Sequence, residues 1–223
     1  MKKARKALLT LCAALLLVSM TVGVTVAYLT SNDSVTNTFT VGKVAITLDE
    51  APVDANGQRT TGTRVKANTY HLLPGHEYDK DPIVHVDANS EDCFVFIRVD
   101  NNGIETIEAA ADTLMADNTA YVTVAQQILN NGWTWVKNVN NVHYFCKTVL
   151  KTDSDKELEV FAKFMVSEDI GNTELKNYYD VATADSEQKK NVTIDAYAVQ
   201  KDGFNSYQEA WNATFAGDTG VQF

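Results

Sequence analysis

The sequence predicts a mostly-β chain, a β-sandwich of jelly-roll type with short helical insertions and a short C-terminal helix. Three observations predict it. Short runs of alternating apolar residues recur along the chain, Gly, Asn and Asp stand at the breaks between them, and helical spacing is confined to insertions and the C-terminus. The 223 residues, 45% of them hydrophobic, suffice for one domain with a substantial core.

The first segment is of another kind. Lys2, Lys3, Arg5 and Lys6 precede an apolar stretch over residues 7–27, the layout of a secretory signal. A spanning helix needs about twenty apolar residues, but Thr21, Gly23 and Thr25 weaken the last third, and Thr25-Val26-Ala27 offers a small-x-small cleavage site. Residues 1–27 are therefore expected to be a signal peptide cut between Ala27 and Tyr28. Its loss removes four cations and no anion, taking the formal charge from −10 to −14. Such acidity argues against nucleic acid or an anionic membrane surface as a partner. The later apolar runs are too short to span a bilayer, so no stable membrane insertion is expected after cleavage.

From Thr38 the pattern has period two: Phe39 and Val41, a Gly42-Lys43 interruption, then Val44, Ile46 and Leu48. This reads as a strand with a bulge at Gly42. Residues 28–42 form an N-terminal segment and residues 43–223 the sandwich domain. Residues 50–66, with Pro, Asn-Gly and several Thr, read as a loop or hairpin tip, and Pro74-Gly75 as a turn before a strand over residues 83–87. In "CFVFIRVD", Cys93, Val95, Ile97 and Val99 share one face, with Phe94 and Phe96 on the other. An apolar pattern on both faces predicts a central strand between two packed layers.

Ile104, Ile107, Ala111 and Leu114 then follow helical spacing, and a second helical segment over residues 124–129 stops at Asn131-Gly132. The β pattern resumes at "TWVKN", "VHYFCKTVL", "LEVFAKFMV" and "VTIDAYAVQ". The end of the chain places Phe204, Tyr207, Ala210 and Trp211 at spacings of three and four, an amphipathic helix capped by Asn205 or Ser206.

Chemistry is sparse. The chain carries no G-x-S-x-G elbow, Walker loop, dinucleotide fingerprint or C-x-x-C, so no catalytic residue and no cofactor are assigned. His71 and His76 lie five apart across Pro74-Gly75, whereas a zincin needs H-E-x-x-H on one helix; His85 and His143 fall on strands. Asp87, Asn89, Glu91 and Asp92 put oxygen ligands at near-alternate loop positions, a candidate calcium site without the EF-hand Gly or distant Glu. Cys93 and Cys146 could pair in an exported protein or act as small buried hydrophobes. Trp133, Trp135 and Trp211, with the Tyr and Phe residues, could form a ligand platform, but on strands and an amphipathic helix they are expected in the core.

Ala27, Tyr28, Leu29 and Thr30, followed by Asn37, Phe39 and Gly42, make "VAYLTSNDSVTNTFTVG" resemble the post-signal segment of the TasA and camelysin group of exported bacterial matrix-fibre proteins. "LLPGHEYDKDPIVHVDANSEDCFVFIRV" is similar to the turn and strands of relatives in anaerobic Gram-positive bacteria, and "VTIDAYAVQKDGFNSYQEAWNATF" to their C-terminal end. The resemblance implies Sec export, cleavage by a SipW-type signal peptidase, and a jelly-roll domain secreted to the cell surface or biofilm matrix. It implies a homopolymer fibre, or one shared with related matrix subunits, joined by donor-strand complementation. Tyr28, Val35, Phe39 and Val41 would anchor the donor, although Tyr28 and Val35 differ in parity. Some members are described as casein-cleaving metallopeptidases, for which His71 and His76 would be the residues to test; a monomeric surface adhesin is the third class.

Overall fold

The computed structural model describes residues 43–101, 103–171, 175 and 192–221. The expected signal peptide, its cleavage point at Ala27 and Tyr28, and the donor anchors Tyr28, Val35, Phe39 and Val41 lie outside the described residues. The strands are β1 (Ile46–Asp49), β2 (Glu77–Asp79), β3 (Ile83–Val86), β4 (Cys93–Asp100), β5 (Thr134–Val139), β6 (Val142–Val149), β7 (Glu157–Glu159), β8 (Lys163–Met165) and β9 (Thr193–Gln200); the helices are α1 (Val124–Asn130) and α2 (Tyr207–Thr214), followed by a short helical turn, Ala216–Thr219. The fold is mostly β, in antiparallel sheets of order β5-β6-β4-β9, β1-β3-β7 and β2-β8.

β4 is the element that the sequence places best. Its odd positions, Cys93, Val95, Ile97 and Val99, join Phe145 and Val149 of β6 in a core shared with Val84, Val86 and Leu158 of the three-stranded sheet. Its even positions, Phe94 and Phe96, join Tyr144 and Cys146 beneath Ala210 and Trp211 of α2. The four-stranded sheet is thus covered on both faces, which is why β4 is apolar on both. α2 starts where its sequence allows: the Ser206 hydroxyl accepts the Glu209 N–H at 3.2 Å, and the Glu209 carboxylate accepts the Asn205 N–H at 3.0 Å, an N-terminal cap in both directions.

β2 with β8 and β3 with β7 keep a single register. Glu77 stands opposite Met165 and His85 opposite Glu157, eight residues on along one side and eight back along the other. Between the two ladders the chain still pairs, Lys80 N–H donating to the Ala162 carbonyl at 3.0 Å and Val160 N–H to Pro82 at 2.9 Å. "LEVFAKFMV", expected as one strand, is therefore two. The interruption falls opposite Pro82, which has no N–H to donate.

The helix expected from Ile104 to Leu114 does not form. One 3-10 turn, Ile104–Thr106, is followed by extended chain, with Ala109 N–H donating to the Met165 carbonyl and Leu114 bridging to Ala120 across a turn at Asn118. Asp112 and Asn118 hold positive φ of 68° and 65°, a conformation that Asp and Asn tolerate better than most residues and that breaks a helix. The apolar stripe was incomplete as well: Ile107 is buried, but Leu114 is 64% exposed.

Candidate functional site

Strand edges carry unpaired N–H and C=O groups, and a chain that does not cover them exposes a template for another strand. Most edges here are covered. Trp133 Nε1 donates to the Glu159 carbonyl at 2.8 Å on the outer side of β7, and the Asn131 amide donates to Val160 O. The Gln127 side chain of α1 bonds the outer side of β8 at Lys163, both as donor (2.9 Å) and as acceptor (3.1 Å). Residues 50–66 close β2: Asp79 N–H donates to Gly57 O, and the Gln58 amide to Glu77 O. Gly57 has φ +74°, and a Cβ there would lie 2.4 Å from the Tyr78 ring, so this loop seats on β2 only with glycine at that position. β5 is guarded differently, by a bulge between Trp135 and Lys137 and by Lys137 itself.

β9 is unlike these. Lys201 N–H donates to the Asp92 carbonyl at 2.7 Å, which fixes the parity of the ladder: odd residues bond β4, and the backbone groups of Ile194, Ala196, Ala198 and Gln200 point from the free side. β9 runs eight residues in unbroken register with β4, without Pro, Lys or a bulge. Among the described residues no strand pairs with its free side.

β1, an edge of the three-stranded sheet, runs beside β9. Val44, Ile46 and Leu48 from one lip, and Ile194, Ala196 and Ala198 from the other, pack against the inter-sheet core but stay half-buried. The centre of that core, Val84, Val95 and Ile97, is fully buried. The margin between β1 and β9 is thus an apolar seam flanked by outward-facing backbone.

Residues 50–66 also bound the seam. Glu50 and Val65 exchange backbone hydrogen bonds of 2.9 and 2.7 Å on the outer side of β1, and Lys66 Nζ donates to the Leu48 carbonyl. Arg64 bridges Asp49 and the buried Asp81, and Arg59 also reaches Asp81 at 3.1 Å. Burial works to raise the Asp49 carboxyl, but hydrogen bonds and charge from Arg64 and His85 hold it below its ordinary value. His85 continues the ladder to Glu157 of β7 at 3.6 Å.

The sequence-stated sites disperse. Asp87 accepts its own turn's Asn89 N–H at 2.8 Å, Glu91 pairs with Lys151 Nζ at 2.8 Å, and Asp92 accepts the Lys151 N–H at 2.7 Å. Glu91 and Asp92 hold the β3–β4 turn to the chain after β6, and among the described residues no group of three His, Cys, Asp or Glu is placed to hold a metal. His76 Nε2 meets the Asn56 carbonyl at 2.8 Å, while the His71 carbonyl accepts the Tyr78 hydroxyl at 2.9 Å. His143 sits beside Asn138 on the β5–β6 hairpin.

The open question of Cys93 and Cys146 resolves against pairing. Cys93 stands opposite Val149, and Cys146 opposite Phe96, so the thiols lie on opposite faces of the sheet, both free. Burial pushes the Cys93 thiol up to about 11 and the Cys146 thiol up to about 12. Trp133 and Trp211 are core as expected, at 2% and 0% exposure, but Trp135 is 52% exposed. The seam itself was not anticipated. Its signal was present in "VTIDAYAVQ", whose small Ala196 and Ala198 alternate with larger residues on a strand without Lys or Pro, its one charge, Asp195, being paired with Arg98 at 3.0 Å.

Among the described residues no helix is long and apolar enough to cross a membrane. Compared with protein-family models, with curated proteins and with solved structures, the chain finds no match in any of the three.

Proposed function

We propose that this protein is an exported structural subunit, secreted to the cell surface or extracellular matrix, that assembles into filaments by strand addition. The observation that carries the reading is the unguarded side of β9, with its half-buried apolar seam against β1. An incoming strand would satisfy the outward groups of Ile194, Ala196 and Ala198, while its alternate side chains sit on the seam. The donor is residues 28–42 of a neighbouring copy, freed when a SipW-type peptidase cuts after Ala27, with Val35, Phe39 and Val41 on one face by alternation. Such a contact is head-to-tail and does not close, so it propagates. The two packed sheets are then a jelly roll completed in trans, and the resemblance to the TasA and camelysin group accords with this.

The test is negative-stain microscopy of the secreted protein, its N-terminus fixed by Edman sequencing. Filaments are expected, and they should vanish when residues 28–36 are deleted although circular dichroism stays unchanged. Intact filaments in that deletion, or a wild type that stays monomeric at every concentration, would overturn the reading. With a formal charge of −14 after cleavage, subunits repel, so assembly should rise with salt; turbidity that falls with added salt would contradict it.

A further inference from the structure

Among the described residues Trp135 is the exposed tryptophan. The other two tryptophans are buried and satisfied, Trp133 Nε1 donating to Glu159 O and Trp211 Nε1 donating to Val221 O, each at 2.8 Å. Trp135 is half exposed, and its indole N–H has no acceptor among the described residues. It also lies at the β5 bulge, where the register against β6 shifts between Trp135 and Lys137. A bulge re-aims the side chains around it, and a large exposed aromatic at such a place is not there for the core.

The register identifies its neighbours. Trp135 stands opposite Phe145, and Asn138 opposite His143. Phe145 points to the inter-sheet side, while Val142 and Tyr144 point to the α2 side, so alternation puts His143 with Phe145, and Trp135 and Asn138 share that face. The His143 and Phe145 rings lie 6.5 Å apart at 24°. Asn138 Nδ2 lies 3.1 Å from His143 Nε2, and Asn138 Oδ1 accepts the Asn141 N–H at 3.0 Å. The amide therefore donates to Nε2, which leaves Nδ1–H of His143 as a donor. Asn140 and Asn141, at φ 53° and 65°, turn this hairpin tightly.

Charge narrows the ligand. The chain has 29 acidic residues, yet no Asp or Glu lies between Asp117 and Asp153. The lysines of this stretch do not serve the shelf. Lys137 pairs opposite Tyr144 on the α2 side, Lys147 Nζ donates to the Asn131 carbonyl at 2.7 Å, and Lys151 pairs with Glu91. The shelf presents one indole plane with a free N–H, an imidazole N–H and an amide; the one cation on its face, Lys147 opposite Val95, is turned to the Asn131 carbonyl, and the stretch has no carboxylate.

We propose that this shelf binds a neutral saccharide chain. One apolar face of a pyranose ring would stack on Trp135, and ring hydroxyls would accept from Trp135 Nε1 and His143 Nδ1. Aromatic surface combined with a few placed polar groups is the recurrent chemistry of such sites. The shelf is on β5, across the four-stranded sheet from β9, so it stands or falls independently of filament assembly.

Affinity electrophoresis of the full chain tests it, in native gels containing hydroxyethylcellulose, laminarin or dextran, with dextran sulfate as the anionic comparator. Retardation is expected in at least one neutral polymer. Trp135→Ala should weaken it by about tenfold or more with unchanged mobility in a plain gel, whereas Leu114→Ala, which alters a more exposed apolar side chain elsewhere, should not. No retardation in any neutral polymer, retardation in dextran sulfate alone, or equal retardation of the Trp135→Ala protein would each overturn the proposal.

Discussion

The two outer strands of the four-stranded sheet solve the same problem in opposite ways. β5 carries a bulge and a lysine, each of which spoils a template for further strands. β9 is unbroken in register, eight residues long and flanked by half-buried apolar side chains. One sheet with one guarded side and one side that, among the described residues, no strand covers has a direction, as the head-to-tail polymer proposed above requires of its subunit. β9 is held instead from above: Tyr197 meets Trp211 at 5.7 Å and Phe215 at 5.3 Å in edge-on and tilted contacts.

The largest effect should come from that support. Trp211→Ala removes a fully buried indole and is expected to destabilise the domain by about 3–5 kcal/mol, read by urea unfolding. Hydrogen exchange should then show β9 amides losing protection before those of β6. Equal loss in both would mean that the helix does not single out β9.

Proline substitution separates the two sides of the strand. Tyr197→Pro deletes a ladder bond to β4 and should cost about 3 kcal/mol or more. Ala196→Pro removes only an outward N–H, and its loss should stay under about 1 kcal/mol. Similar losses for both would show that the outer side of β9 is engaged in the isolated domain, and the contrast with β5 would collapse.

Ala198→Lys gives β9 the kind of guard that β5 already has. A cost of about 1 kcal/mol in thermal unfolding is expected, with loss of filaments in micrographs, while Lys137→Ala on β5 should change stability by less than about 0.5 kcal/mol. Filaments that survive Ala198→Lys would place the join elsewhere.

The smallest effect concerns β1, the other lip. Asp49 is held below its ordinary 3.8 by Arg64 and His85 against the opposing effect of burial. A depressed carboxylate adds stability that is present above the unfolded value and lost as pH falls through the folded one. Asp49→Asn should therefore be slightly less stable than wild type at pH 6, the two converging below about pH 3.8. A gap that persists at pH 2 would show that the lost contribution is not the charge.

Much of this fold was legible because burial writes periodicity. β4, apolar on both faces, announced a middle layer, and the cap residues Asn205 and Ser206 announced where α2 begins. The helix expected from Ile104 to Leu114 failed because four apolar residues at helical spacing do not bury a stripe when Leu114 points to solvent and Asp112 and Asn118 take positive φ. "LEVFAKFMV" misled in another way: its register is continuous, but the break is set by Pro82 in the segment paired against it, and no local pattern reports a partner. The seam was hidden for the same reason. Small residues on β9 become informative only once β1 is known to lie beside it, and Trp135 stands apart from its two buried counterparts only once the bulge is seen.

The placement of the two cysteines has a practical corollary. Cys93 sits between the sheets and Cys146 beneath the helix, and each thiol is buried and weakly acidic. Neither can react until its own layer parts. Alkylation therefore times two separate openings in one molecule: the rate at Cys146 clocks the lifting of the helix, the rate at Cys93 the parting of the sheets, and an added strand along β9 should slow the second far more than the first.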